Sequence, residues 1–480
     1  MKTTLHIIDE INCHFTGLKD RHITEIIERT KLPIKGAFHT AAYQMKLTDG
    51  KESQFDESGL TFIYMLDKVL PLINKWGYEV EVIDDRSQLI HIKEIIDEFF
   101  LCIDGNFLRP YQVTSINNAI EHEHGIVNIP TSGGKTYICA ALSKYYDSYF
   151  GMIVIVPTEK LVNQTYNDMI KAGLDVGKIN KSYSNKRREE EWNKRHVVCT
   201  WQILKNNKQR CVRFNGFVYD ETHHMGDVMY GILSNELAHA QIRIGMTGTV
   251  PKDRNKKEKI CCHIGNDVIH KVTAKELQDD GYISTLDIQM IPIRHNFELP
   301  DDVEWDWDYE ESYLLSNRDR IDVLIKFIQK LSSENTLILT HKKLARKLAR
   351  KLDFDYIDGD TDEKTREEYY TEFTKQDEYH LIATYETVGT GISINEIRRM
   401  ILIDGGKNEI RILQGIGRGL RKEEENSHLK VYDLYSEIYT VNSEGKEVDY
   451  SYSGTKHLRL RKKIYKDEHY PFVIMGGIEV

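Results

Sequence analysis

From about Phe107 onward the chain repeats one pattern: a short apolar run, a polar cluster, then a stretch with helical spacing. The runs fall at residues 127–129, 152–156, 197–199, 217–219 and 242–245. A strand with one wet face alternates polar and apolar residues. Runs without that alternation imply strands covered on both faces, and intervening helices imply parallel pairing. After a polar, acidic stretch at 298–311 that contains Trp305 and Trp307, a second series follows at 336–339, 356–357, 381–383, 400–403 and 431–434. The expected fold class is α/β, with two parallel sheets in tandem. Each run ends in polar residues, and ligands of such sheets bind at the carboxyl ends of the strands.

The first hundred residues read differently, as a separate small α/β unit. Tyr43, Met45 and Leu47 alternate with polar residues, Asp49-Gly50 supplies a turn, and residues 51–55 lead back, so a hairpin is expected. A helix is expected over 59–76, with Phe62, Leu66, Val69, Leu70 and Ile73 on one face, then a strand over 78–83. The expected division is a small α/β domain at 1–104, a first sheet domain at 105–275, a connector at 276–311 and a second sheet domain at 312–480. That accords with 480 residues at roughly 150 per domain.

Composition removes several classes. No run approaches the roughly 18 apolar residues that span a bilayer. The start, MKTTLHIIDE, reaches an acidic pair too early for a signal peptide. Seven cysteines occur without a CxxC pair, which disfavours a zinc knuckle or a disulfide framework. A cytoplasmic protein is expected, with no membrane partner. The net charge of −10 argues mildly against a nucleic-acid partner, but phosphate contacts need only a locally basic groove. Basic residues do cluster at 186–188, 252–259, 342–351 and 459–463. Each cluster alone reads as a solvated helix face or loop. The last reads best as the final helix of the second sheet domain.

Three motifs carry chemistry. Pro130-Thr131-Ser132-Gly133-Gly134-Lys135-Thr136 lies between an apolar run and a helix. A phosphate loop needs glycines that let backbone N–H groups face an anion, a lysine for the β- and γ-phosphates, and a hydroxyl for Mg²⁺. Gly134, Lys135 and Thr136 supply these, although Ile129 stands where the full pattern has its first glycine. A chance GGKT turn is the bland alternative. Asp220-Glu221-Thr222-His223 follows the 217–219 run. There Asp220 can hold Mg²⁺ through water and Glu221 can polarise an attacking water. His223 suits either a core position or a coupling role. Gln414-Gly415-Ile416-Gly417-Arg418-Gly419-Leu420-Arg421 places two arginines three apart, on one face if the segment is helical. Arg418 and Arg421 would suit a phosphoryl group in transfer.

Together these blocks resemble superfamily 2 helicases, which carry two RecA-like domains. The resemblance covers about residues 105–440. Arg109-Pro110-Tyr111-Gln112 resembles the adenine-reading block, with Arg109 and Gln112 as nucleotide contacts. Residues 130–136 match the phosphate-loop motif. Pro157 and Thr158, and then Thr200, Trp201 and Gln202, stand where the family touches nucleic acid. Asp220 to His223 form a DExH box, and Thr247-Gly248-Thr249 stands at the coupling motif with His223, Thr247 and Thr249. Thr340, His341, Lys342, Thr384 and Thr390 stand at later nucleic-acid contacts. Gly391 stands at a nucleotide contact, and Gln414 at a coupling position. The family carries an Asp two residues after Gly391, where this chain has Ser393. Within the superfamily the chain is most similar to the bacteriophage UvsW-type helicases, which share that serine and carry a small N-terminal α/β domain. The resemblance implies ATP and Mg²⁺ as cofactors, with ATP held between the two sheets. It also implies tracking along one strand, and remodelling of branched or forked DNA by branch migration, fork regression or R-loop and D-loop unwinding. The N-terminal domain would help recognise the substrate. Phage recombination or replication proteins would be partners, and the host bacterial cytoplasm the location. Rival readings are an RNA helicase, the motor subunit of a restriction complex, and a nucleic-acid clamp with a silent ATP site. Lys135, Glu221 and Arg421 argue against the last.

Overall fold

A computed structural model describes residues 1–87, 93–298, 305–331, 333–389, 397–404, 416–417, 428–441, 445–449, 451 and 457–480. The chain forms two compact units, one of residues 1–129 and 134–272, the other of residues 130–133 and 273–480.

The first unit holds two sheets. A small mixed sheet runs Leu60–Phe62, Asn12–Thr16, Lys2–Ile7, Glu79–Asp84, with Lys2–Ile7 antiparallel to Asn12–Thr16 and parallel to Glu79–Asp84. Helices Asp20–Thr30 and Leu66–Lys75 bury Ile26, Val69 and Ile73 in one cluster with Leu5, Cys13 and Phe15. The larger sheet has seven strands in the order Val176–Lys178, His196–Thr200, Met152–Val156, Gly216–Asp220, Ile242–Thr247, His124–Asn128, Val268–Lys271, and every neighbouring pair is parallel. Its central strands are buried along their whole length, as the unalternated apolar runs require.

The second unit is built on Asp355–Ile357, His380–Thr384, Thr336–Thr340, Arg399–Ile403, His428–Val441, Thr285–Asn296 and Phe472–Ile474, again parallel between the described neighbours. Ile478–Glu479 adds parallel to Thr285–Asn296, and Glu447–Asp449 adds antiparallel to His428–Val441. The architecture is therefore α/β: two RecA-like parallel sheets and a small N-terminal mixed sheet. The basic helix Lys342–Leu352 packs through Leu344 and Leu348. The C-terminal helix Leu458–Asp467 packs the same way, and its buried Arg461 bonds Asp433 at 2.9 Å. Among the described residues no helix is long and apolar enough to cross a membrane. All seven cysteines are free thiols.

Three local expectations give way. The hairpin through Tyr43–Leu47 does not form. The Thr40 hydroxyl accepts from the Tyr43 N–H at 3.3 Å and caps a single helical turn, Ala41–Gln44, and Lys46 then takes φ 56°. Among the described residues, the segment leading to and from this turn pairs at Leu32–Pro33 with Lys51–Glu52. The expected helix over 59–76 is shorter, Leu66–Lys75. It is preceded by Leu60–Phe62 in the sheet and a tight turn at Ile63–Met65. Gly59 makes that strand possible: it has φ 94°, and a Cβ there would lie 2.3 Å from the Phe15 carbonyl oxygen. Finally, the segment expected to connect the domains, 276–311, contains the 12-residue strand Thr285–Asn296. Its Leu286, Ile288, Met290 and Ile293 are buried, so burial makes it a strand despite Pro292.

Candidate active site

Three neighbouring strands, Gly216–Asp220, Ile242–Thr247 and His124–Asn128, end side by side, so the residues that follow them share one edge of the first sheet. Ile129 leaves this edge as a fully buried plug whose N–H donates to the Thr247 carbonyl at 3.0 Å. The pattern's missing glycine is thus replaced by core packing. In the loop that follows, the Gly133 N–H donates to the Pro130 carbonyl at 3.1 Å, and Ser132 and Gly134 take φ 71° and 67°. Left-handed residues in a tight turn aim backbone N–H groups into one concavity, an anion nest. Gly134 suits the left-handed φ of 67°, and a Cβ there would lie 2.5 Å from the Gln112 amide nitrogen and displace it. Helix Lys135–Tyr146 starts there and adds its N–H groups and dipole.

Gln112 lies on helix Pro110–His122 and is buried. Its Oε1 accepts from the Arg109 N–H at 2.9 Å and its Nε2 donates to the Gly134 carbonyl at 3.4 Å. Gln112 therefore supports the loop as well as standing where an adenine contact was expected.

Lys135 Nζ lies 3.2 Å from Glu221 Oε1. Glu221 is left-handed, at φ 55°, and its N–H donates to Asp220 Oδ1 at 3.0 Å. The other carboxylate oxygen of Glu221 is 3.3 Å from His223 Nδ1, which also meets Thr247 Oγ1 at 2.8 Å. The Thr247 hydroxyl donates its one proton to the Thr249 carbonyl at 3.0 Å, and its oxygen accepts from the Thr249 N–H at 3.1 Å. His223 Nδ1 must therefore carry the proton in its bond to Thr247. Burial lowers the His223 pKa to about 4 against the pull of Glu221, so the ring is neutral near pH 7.

One ammonium here serves two carboxylates. Burial and the neighbouring Glu221 push the Asp220 carboxyl up to about 7, opposed by Lys135. Burial pushes Glu221 the same way, but Lys135, acting together with His223 and His224, holds Glu221 below the usual range. A divalent cation at Asp220 would add positive charge beside this buried carboxylate pair. Thr136 opens the adjoining helix with a hydroxyl suited to the same ion. Among the described residues no group of three or more His, Cys, Asp or Glu side chains is placed to hold a metal. An ion here would complete its shell with phosphate oxygens and water, as Mg²⁺ does beside nucleotides. Asp168, on helix Glu159–Lys171, was not expected at the site. Burial raises its pKa and the Thr136 hydroxyl draws it down.

The expected strand-contact residues also lie at carboxyl ends of strands. In the first unit, Pro157 and Thr158 follow Met152–Val156, and the Thr158 hydroxyl caps helix Glu159–Lys171 by accepting from the Leu161 N–H at 3.3 Å. Thr200 is buried, Trp201 packs on the core, and Gln202 Oε1 is buried without a hydrogen bond. In the second unit, Thr340 is fully buried, and the Thr384 hydroxyl meets that of Thr387 at 2.7 Å. Thr200, Thr340 and Thr384 are thus buried at the ends of their strands. His341 Nε2 meets the Asp404 carbonyl at 3.0 Å. Lys342 lies 3.2 Å from Asp358 and 2.5 Å from Asp360. His341, Lys342, Gly359 and Thr384 line a cavity of about 420 Å³. Asp358 and Asp360 follow a different strand, so no motif spacing announces their hold on Lys342. Thr390, Gly391, Gln414, Arg418 and Arg421 lie outside the described residues.

Comparison with known proteins matches residues 106–252 to the family model described as type III restriction enzyme, res subunit. Residues 319–423 match the model described as helicase conserved C-terminal domain. The chain is 26% identical over 457 residues to the ATP-dependent DNA helicase uvsW of Enterobacteria phage T4, covering 89% of this chain and 90% of that one. It is 22% identical over 386 residues to the DNA 3'-5' translocase XPB2 of Sulfurisphaera tokodaii, covering 71% and 85%. Among solved structures, the DNA-bound ATP-dependent type ISP restriction-modification enzyme LlaBIII aligns with a TM-score of 0.57 at 14% identity, covering 87% of this chain and 34% of that one. That likeness concerns the fold alone.

Proposed function

We propose that this chain, which belongs to superfamily 2 of the helicases, uses ATP hydrolysis to move on DNA and to remodel branched DNA. Branch migration, fork regression and unwinding of R-loops or D-loops are the expected reactions. The observation that carries the reading is the unbroken link from Lys135 through Glu221 and His223 to Thr247, with contacts of 3.2, 3.3 and 2.8 Å.

A triphosphate in the 130–136 nest would draw Lys135 from Glu221 to its β- and γ-phosphates. Glu221 then has a free oxygen to orient water and take its proton. The water oxygen bonds to the γ-phosphorus, the bond to the β-phosphate oxygen breaks, and ADP and phosphate leave. Mg²⁺, held through Asp220 and Thr136, would neutralise phosphate charge. Arg418 and Arg421 would stabilise the transferring phosphoryl group, and Arg109 and Gln112 would stand beside the base. Because Glu221 also faces His223, a change in its partner reaches Thr247 and Thr249. Pro157, Thr158 and residues 200–202 of the first unit, and His341, Lys342, Thr384 and Thr390 of the second, would follow the strand backbone. The 1–104 domain would recognise the branch.

The DNA reading draws support from the uvsW match, which extends over most of both chains. ATP turnover measured without nucleic acid, with DNA and with RNA of matched sequence tests it. DNA should stimulate turnover and RNA should not; stimulation by RNA alone would transfer the activity to RNA. His223→Ala should keep most of the ATP turnover and lose strand displacement, because it cuts the link to Thr247 without touching phosphate. Parallel loss of both activities would remove the coupling role. The description of the matching first-unit model favours a second reading, a restriction motor. ATP-dependent cleavage of plasmid DNA would select it.

A further inference from the structure

The segment between the N-terminal sheet and helix Pro110–His122 carries a surface that the chemistry above leaves unused. Ile95, Phe99 and Phe107 are 87, 65 and 48% exposed. The Phe99 and Phe107 rings meet edge to face, with centroids 5.2 Å apart. From Glu94 to Phe107 the sequence has four carboxylates and no lysine, arginine or histidine. Asp104 pairs with Lys171, but Glu94, Asp97 and Glu98 are exposed and make no ion pair among the described residues. Of the nearby lysines, Lys93 pairs with Glu123 at 2.9 Å, and Lys144 lies over the Phe100 ring, 5.6 Å from its centroid.

The backbone that carries these rings is fixed. The Glu94 N–H donates to the Tyr145 hydroxyl at 2.9 Å. The Ile96 N–H donates to Asn117 Oδ1 at 2.9 Å, and Asn117 Nδ2 returns a bond to the Ile96 carbonyl at 3.0 Å. Asp97 Oδ1 accepts from the Phe99 N–H at 3.0 Å and caps the tight turn Glu98–Phe100. Strands Cys102–Ile103 and Asn106–Phe107 pair, and the Leu108 N–H donates to the Glu98 carbonyl at 3.2 Å. Buried Ile96, Leu101, Ile103 and Leu108 anchor the segment. Two exposed rings on a fixed backbone lose little freedom when they are covered, which favours binding.

We propose that this surface docks a partner protein through a basic segment, with apolar side chains of the partner on Phe99 and Phe107 and its lysines or arginines facing Glu94, Asp97 and Glu98. Large apolar groups left exposed together mark interaction sites, and aromatic residues are enriched where proteins meet. The charge selects the partner. Three carboxylates without a paired cation repel the phosphates of DNA and favour a positively charged protein surface. The segment runs directly into Arg109 and Gln112, and Gln112 bonds the Gly134 carbonyl of the phosphate loop at 3.4 Å. A docked partner would therefore sit beside the support of that loop. The inference does not depend on which nucleic acid the motor follows.

The test uses the full chain and a fluorescein-labelled amphipathic peptide of leucines and lysines, read by fluorescence anisotropy. A counterpart with every lysine replaced by glutamate serves as the control. The lysine peptide should bind, more weakly as salt rises, and the glutamate peptide should not bind. Phe99→Ala with Phe107→Ala should weaken binding of the lysine peptide about 10-fold or more. Glu94→Gln, Asp97→Asn and Glu98→Gln together should weaken it and remove most of its salt dependence, while the new amide at 97 keeps an oxygen for the Phe99 N–H. DNA-stimulated ATP turnover and fork binding should stay unchanged in both variants. Peptide affinity unchanged in both variants would overturn the proposal. Loss of fork binding in the phenylalanine variant would overturn it too, by assigning the surface to nucleic acid. So would a wild-type dimer that the same variant dissociates in sedimentation velocity, which would assign the surface to a second copy of this chain.

Discussion

Lys135→Ala should lower ATP turnover by about 10³-fold or more, the scale of removing a preorganised charge from a transferring phosphoryl group. Lys135 stands at the first turn of its helix, 10% exposed, with its ammonium on Glu221. Its loss removes the cation that the nest offers the γ-phosphate and leaves Asp220 and Glu221 repelling each other without compensation. Steady-state phosphate release with saturating DNA measures the effect, and far-UV circular dichroism confirms that the helices persist. Lys135→Arg should not restore activity, because a planar fork cannot reach into a nest shaped for a single ammonium. Wild-type turnover in the alanine variant would refute the phosphate-loop assignment.

Glu221→Gln should separate binding from chemistry. The amide keeps the shape and the left-handed turn at φ 55° but cannot take a proton from water. Turnover should fall about 10²- to 10⁴-fold, the range of a lost general base. Affinity for ATP should survive, because Lys135 and the nest remain and Lys135 loses a competing partner. Equilibrium binding of a fluorescent ATP analogue checks the second half. A variant that turns over normally would move the base elsewhere, and one that fails to bind nucleotide would make Glu221 a structural support for Lys135.

The sheets could be read from the sequence because their strands bury both faces. Residues 152–156 and 400–403 announce themselves by lacking polar residues, and both are strands with those residues buried. The same rule failed where burial is one-sided or absent. Thr285–Asn296 carries Asp287 and Gln289 on a partly open face, so its burial against His428–Val441 was not apparent. Around Tyr43 the alternation looked like a strand, but Met45 and Leu47 face solvent, and a local hydroxyl cap decided the conformation. The site was legible where chemistry sits in consecutive residues at a strand end, as with Lys135, Asp220 and Glu221. Pairings across the sheet edge leave no spacing to read. The His223 bond to Thr247 and the hold of Asp358 and Asp360 on Lys342 belong to that kind.

Strand separation by the wild-type chain tests the central claim most directly. The substrates are a forked DNA, a Holliday junction, an R-loop and a plain duplex, each with ATP and with a non-hydrolysable analogue. Branched substrates should be remodelled with ATP and left intact with the analogue, while the plain duplex stays largely paired. Equal remodelling with both nucleotides, or none on any branched substrate while ATP is consumed, would contradict a hydrolysis-driven motor for branched DNA.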